Sequence, residues 1–166
     1  LRKGGAYLIT DGGNAGGVGL AELLTGTCKA KVALLLPPAF PARELWENWP
    51  DDPGQDLVRA VVRRLLALEP NVLILRTDVR SAVEQARARF GALDGAFHTP
   101  GQFTGGLIQL KTREALTAAL TPVEQGAREL LAALEGDPAF VILMSSTLAF
   151  TGGLGQVDLA AAGAHL

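Results

Sequence analysis

Apolar residues fall along this chain in five short, unbroken runs, with segments of helical spacing between them. Ala6 to Thr10, Lys31 to Leu36, Val72 to Leu75, Gly95 to His98 and Phe140 to Met144 lack polar alternation, the pattern of strands covered on both faces. Asp56 to Leu68 and Val79 to Phe90 place apolar residues at helical spacing, the second with Arg and Glu outward. Arg113 to Leu120 and Val123 to Leu134 predict two more helices, and a short one is expected near Gly17 to Leu24. Strand and helix alternate throughout, which predicts an α/β fold with a doubly wound parallel sheet in three α/β/α layers.

One stretch breaks this rhythm. Residues 39–55 carry Trp46, Trp49, prolines and acidic side chains, and predict a surface excursion whose tryptophans pack on the sheet edge. A docking surface for another domain is the alternative.

Composition narrows the class. The 166 residues make one domain, 1–166, large enough for a single core. With 48% hydrophobic residues but 5% aromatic, that core must be built from Ala, Leu and Val. A net charge of −2 gives no basic footprint and argues against nucleic-acid binding. The one cysteine, Cys28, allows no internal disulfide and fits a reducing, cytoplasmic setting. No apolar run reaches the roughly 18 residues of a membrane span, and no metal site is expected. Leu1 to Gly5 reads as a linker and Ala160 to Leu166 as a helix cut short, so the expectation is a C-terminally truncated piece of a longer polypeptide.

The chemistry lies in the segments that close the strands. Tyr7-Leu8-Ile9-Thr10 leads into a glycine-rich loop, and Thr77-Asp78-Val79 and Phe97-His98-Thr99-Pro100-Gly101 follow at fold-consistent spacing. After them come Gly106-Leu107-Ile108-Gln109-Leu110-Lys111-Thr112, Ser145-Ser146 and Gly152-Gly153-Leu154-Gly155-Gln156-Val157-Asp158. Over essentially the whole chain these resemble the ketoreductase domain of modular type I polyketide synthases, a branch of the short-chain dehydrogenase/reductases with a Rossmann-like sheet. The excursion also looks like a Pro-rich, Trp-containing insertion found in some of these domains.

The resemblance implies a reaction and the residues that perform it. In that family NADPH delivers hydride to a β-keto thioester on an acyl carrier protein. A Tyr protonates the alkoxide, a Ser hydrogen-bonds the same oxygen, a Lys lowers the Tyr pKa and an Asn supports the relay. Ser146 matches the Ser. The Tyr position falls on Leu159, the Asn position on Gly163 and the Lys position on Val123, within Thr121-Pro122-Val123-Glu124-Gln125-Gly126. No replacement acid is evident. Tyr7, the one tyrosine, begins the first strand. His98 stands where the family also has His, and His165 lies beyond the Asn position. Lys111 belongs to a segment the family carries anyway, and Asp158 adjoins the Tyr position but is expected to point elsewhere.

The cofactor loop also departs from pattern. Such a loop needs glycines so that backbone amides approach the pyrophosphate at a helix N-terminus. Read without a gap, Thr10-Asp11-Gly12-Gly13-Asn14-Ala15-Gly16-Gly17 puts Asp11 and Ala15 at required glycines, and a carboxylate there repels phosphate. A gapped register through Gly19 restores Gly-x-x-x-Gly-x-Gly; the ungapped one is favoured. Leu35-Leu36-Pro37-Pro38 offers no cation for a 2′-phosphate, and Pro100 stiffens the loop beside the nicotinamide. Asp78, which in the family contacts adenine, is kept but also reads as a strand-end cap.

The expectation is therefore a pseudo-ketoreductase: a degenerate NADPH site, no cofactor, no catalysis of its own, and a scaffold role within a polyketide synthase, an acyltransferase-type multienzyme. Its expected partners are the structural subdomain and methyltransferase, dehydratase or acyl carrier domains. The alternative is an active NADPH-dependent β-ketoacyl reductase with an atypical proton donor. An epimerase-like domain is disfavoured, since α-proton abstraction also needs a base.

Overall fold

A computed structural model describes residues 1–48, 56–69, 71–100, 105–136 and 138–166. Five parallel strands form one sheet in the order β3-β2-β1-β4-β5: β1 (Ala6–Thr10), β2 (Lys31–Leu35), β3 (Val72–Leu75), β4 (Gly95–His98) and β5 (Val141–Leu143). Every side chain of β1 is buried, because the strand is central and covered on both sides. Its alternation sorts the core into two halves. Tyr7 and Ile9 join Val32 and Leu34 under α1 (Ala15–Cys28) and α2 (Asp56–Leu68). Ala6 and Leu8 join Ala33 and Leu35 under α3 (Val79–Phe90) and α4 (Arg113–Ala133). The three-layer α/β/α arrangement expected from the sequence is the one observed.

Local chemistry sets the helix ends. Asp78 caps α3 by accepting from the Ser81 amide at 2.9 Å, and Thr112 caps α4 through the Ala115 amide at 3.1 Å. Asp78 thus caps a helix, where a strand-end role was expected.

Two expectations are corrected. The segments Arg113–Leu120 and Val123–Leu134 are one 21-residue helix, α4, running through Pro122. A proline removes one intrahelical donor. Here the residue four back, Ala118, is exposed, so its carbonyl is open to water, and Val123, Ala127 and Leu130 beyond the proline are buried. The second correction concerns the excursion. Trp46 is not a surface residue on the sheet edge but 3% exposed, within the core under α1 and α2. Its Nε1 donates to the Pro41 carbonyl at 3.0 Å, Phe40 meets its ring edge-on, and the Arg43 guanidinium lies 5.4 Å from the ring centre. Trp49 and residues 50–55 lie outside the described residues, as does Gly101.

After β5 the chain makes a single turn, α5 (Leu148–Thr151), then α6 (Val157–His165), which packs against α4 and α5. This brings the carboxyl ends of β1, β4 and β5 under one helix.

Candidate functional site

At the carboxyl edge of a parallel sheet, strand ends splay and leave a crevice between loops. Here a cavity of about 210 Å³ opens there, lined by the ends of β1, β4 and β5 and by α4 and α6. Ser146, Val123, Leu159 and Gly163, which the resemblance assigns to four catalytic positions, all line it. The fold thus gathers residues up to 40 apart in the chain into one site. Among the described residues that line the cavity, none carries a titratable side chain.

The serine turn is tied to α6. Ser145 Oγ donates to the Gly163 carbonyl at 2.8 Å, and Ser146 Oγ accepts from the Leu148 amide at 3.2 Å. A Cβ on Gly163 would stand 2.7 Å from Ser145 Oγ and 3.2 Å from the Ala149 Cβ. The helix therefore approaches the serines so closely that a side chain at 163 requires the Ser145 hydroxyl to turn aside.

The other polar candidates point away. Tyr7 is fully buried at the amino end of β1, where its hydroxyl accepts from the Arg2 amide at 2.6 Å. His165 pairs with Glu124 at 3.2 Å. Lys111 Nζ donates to Asp158 Oδ2 at 2.6 Å, and this pair, its carboxylate wholly buried, joins residues 105–112 to the start of α6. That latch was not anticipated; the two motifs that contain it were noted separately, and nothing in either shows that they meet. His98 is buried with Nδ1 2.8 Å from Thr10 Oγ1. Burial pushes its pKa below the ordinary histidine value, against the opposing field of Asp11. Burial likewise pushes the Asp11 carboxyl up, with His98 opposing.

The glycine-rich loop turns through Asp11, whose φ of +55° is a left-handed conformation that favours glycine. Asn14 then caps α1: its Oδ1 accepts from the Gly16 and Gly17 amides at 2.9 and 3.0 Å, and its Nδ2 donates to the carbonyls of Asp11 and Thr99. Asp11 occupies a glycine-like backbone position, as the ungapped register expects. The close approach belongs to Gly17, where a Cβ would lie 2.6 Å from the Gly12 Cα and which both registers place at a required glycine, while Ala15 is exposed. Two further cavities, of about 220 and 390 Å³, continue the crevice past Asp11 and Pro37 to Asp78. Among the described residues no Lys or Arg lines any of the three, whereas Asp11, Asp78, Glu129 and His98 do. The Asp78 carboxylate is held below its usual range by the Ser81 amide and hydroxyl.

A parallel sheet with its crevice at the carboxyl ends of β1 and β4 defines the nucleotide-binding α/β class. Solved short-chain dehydrogenase/reductases share this fold, one from Serratia marcescens at 19% identity over 98% of this chain and 64% of its own, with a TM-score of 0.67. More specifically, the KR domain family model matches residues 5–166, and the chain belongs to that family. Among solved relatives, an N-terminal ketoreductase from the macrolactin assembly line is 28% identical over 98% of this chain and 32% of its own, with a TM-score of 0.72. A ketoreductase domain from the bacillaene assembly line is 25% identical, covering 98% and 37%, with a TM-score of 0.73. A 6-methylsalicylic acid synthase of Penicillium patulum is 27% identical over 173 residues, 99% of this chain and 10% of that protein. The chain thus spans about a tenth of the length of such curated relatives. Among the described residues no helix is long and apolar enough to cross a membrane.

Proposed function

We propose that this is a non-reducing ketoreductase domain, retained as a scaffold in a polyketide synthase. One observation carries the reading: among the described residues, the cavity that holds Ser146, Val123, Leu159 and Gly163 is lined by no side chain able to supply a proton near neutral pH. Hydride transfer to a ketone leaves an alkoxide, which needs a positioned acid. Ser146 can orient a carbonyl through its hydroxyl but is far too weak an acid to neutralise the product. The cofactor crevice supports the same conclusion, since its lining side chains are neutral or acidic and NADPH is a polyanion. We infer that NADPH is not a ligand of this domain.

The scaffold role rests on exposed apolar surface. Phe150 and Leu154 are 93% and 92% exposed, and Ile108 and Leu110 stand out nearby. The Gly106 amide bonds the Gly155 carbonyl at 2.7 Å, so the loops that carry these side chains are held together. Such patches suit packing by neighbouring domains of the same synthase. The direct test is NADPH absorbance with a β-keto thioester and the purified domain. The expected result is no substrate-dependent oxidation; turnover would establish instead an active reductase with an unusual acid.

A further inference from the structure

Family membership implies NADPH, and the residues of the glycine-rich loop do not fit it. The misfit is more than missing side chains, because the chain fills its own cradle. At a phosphate-binding helix N-terminus the first-turn amides point at the ligand's oxygens. Here the Gly16 and Gly17 amides are both taken by Asn14 Oδ1, at 2.9 and 3.0 Å. The carboxamide is fixed from its other end, where Nδ2 bonds two carbonyls at 2.8 and 2.9 Å. A phosphate would have to break four hydrogen bonds to displace it.

The loop is also braced by the segment that follows β2, beside the cavity of about 220 Å³ that Asp11, Gly13 and Asn14 line. A Cβ on Gly13 would lie 2.7 Å from the Phe40 ring and 2.8 Å from Pro37 Cδ, so these side chains rest directly on the loop backbone. Both belong to the segment that follows β2, and that segment is pinned. The Arg76 guanidinium donates to the Phe40, Pro41 and Pro38 carbonyls at 2.8, 3.0 and 3.4 Å. Arg43 binds both oxygens of Glu69 at 2.6 and 2.8 Å, and Trp46 anchors the turn from within the core.

We infer that Asn14 and residues 37–46 form a built-in plug, an intramolecular contact that occupies the phosphate cradle and keeps dinucleotides out. The inference deepens the non-reducing reading and rests on it. It makes a claim that the sequence pattern alone does not: correcting Asp11 to glycine is insufficient, because the cradle stays filled.

NADPH fluorescence titration of the whole chain tests this in the wild type, Asp11→Gly, and the triple variant Asp11→Gly, Asn14→Gly, Phe40→Ala. No saturable binding is expected in the first two. The triple variant should gain at least about tenfold in affinity, roughly 1.4 kcal/mol. Wild-type binding, equal binding by Asp11→Gly and the triple variant, or a folded triple variant without gain would each overturn the plug. Should the triple variant fail to fold, amide hydrogen exchange on the wild type decides. Gly16 and Gly17 should be protected without ligand, and exchange as fast as in an open loop would refute the inference. NADPH binding without turnover would remove the plug and leave the non-reducing reading standing; turnover with a β-keto thioester would remove both.

Discussion

Gly163 shows how a single position closes off a chemistry. The asparagine that the resemblance expects there requires the Ser145 hydroxyl to turn aside, since even a methyl group would meet Ser145 Oγ at 2.7 Å. Gly163→Ala should therefore lower stability by about 1–3 kcal/mol through overpacking, read as a shift in urea midpoint. The clash has a named partner, so it can be isolated. In a Ser145→Ala background the hydroxyl is gone, and the cost of Gly163→Ala should shrink markedly. Additive effects in this double-mutant cycle would show that the Ser145 contact is not what restricts position 163. Leu159 and Val123 differ from Gly163 in kind: they put apolar side chains on a cavity wall, whereas the glycine lets a helix move inward.

Among the elements, the latch between residues 105–112 and α6 is the most exposed to perturbation. Asp158 is wholly buried and Lys111 largely so, and removing one charge takes an ion-pair partner from the other in a poorly solvated place. Asp158→Asn should cost about 3 kcal/mol or more and make residues 105–112 more sensitive to proteolysis; an unchanged digestion pattern would show that the ion pair does not hold the loop. The same scale explains what the sequence disclosed. Strands buried on both faces announce themselves as apolar runs, as β1 does; β5 reads as such a run although as an edge strand it is half exposed, and α2 and α3 are legible in their regular apolar spacing. The join through Pro122 was hidden because a proline normally marks a boundary, and only the burial of Val123, Ala127 and Leu130 against the rest of the fold shows why the helix continues. Trp46 was misplaced because composition cannot tell a polar-flanked tryptophan in the core from one on an edge. The four positions that line the cavity were assigned through the family resemblance, whereas the meeting of Asn14, Phe40 and Pro37 at the loop was not. It depends on three segments meeting, and each of them alone is an ordinary loop.

At the scale of the whole molecule, the crevice couples folding to pH through two buried groups of opposite sense. His98 has its pKa lowered by burial, so below the ordinary histidine value near 6.5 the unfolded chain binds more protons than the folded one. Its contribution is therefore complete above that value and is lost as pH falls towards the folded pKa. Asp11 has its pKa raised by burial, so the folded chain keeps a proton that the unfolded chain has released. Its contribution is present at acid pH and is lost as pH rises above the ordinary aspartate value near 3.8. Where their windows overlap the slopes oppose each other, and because each group lies in the other's field, removing one also shifts the other. Urea unfolding of His98→Gln across pH 5 to 7 (about the histidine window) should lose the fall in stability that the wild type shows on acidification. Asp11→Gly should steepen that same fall, because it deletes the opposing slope. It should also raise stability at neutral pH, because a half-buried carboxyl and a left-handed non-glycine residue are both relieved. If Asp11→Gly leaves the pH profile unchanged and merely shifts it upward, the carboxyl is solvated in the folded chain and only the backbone strain at position 11 is real.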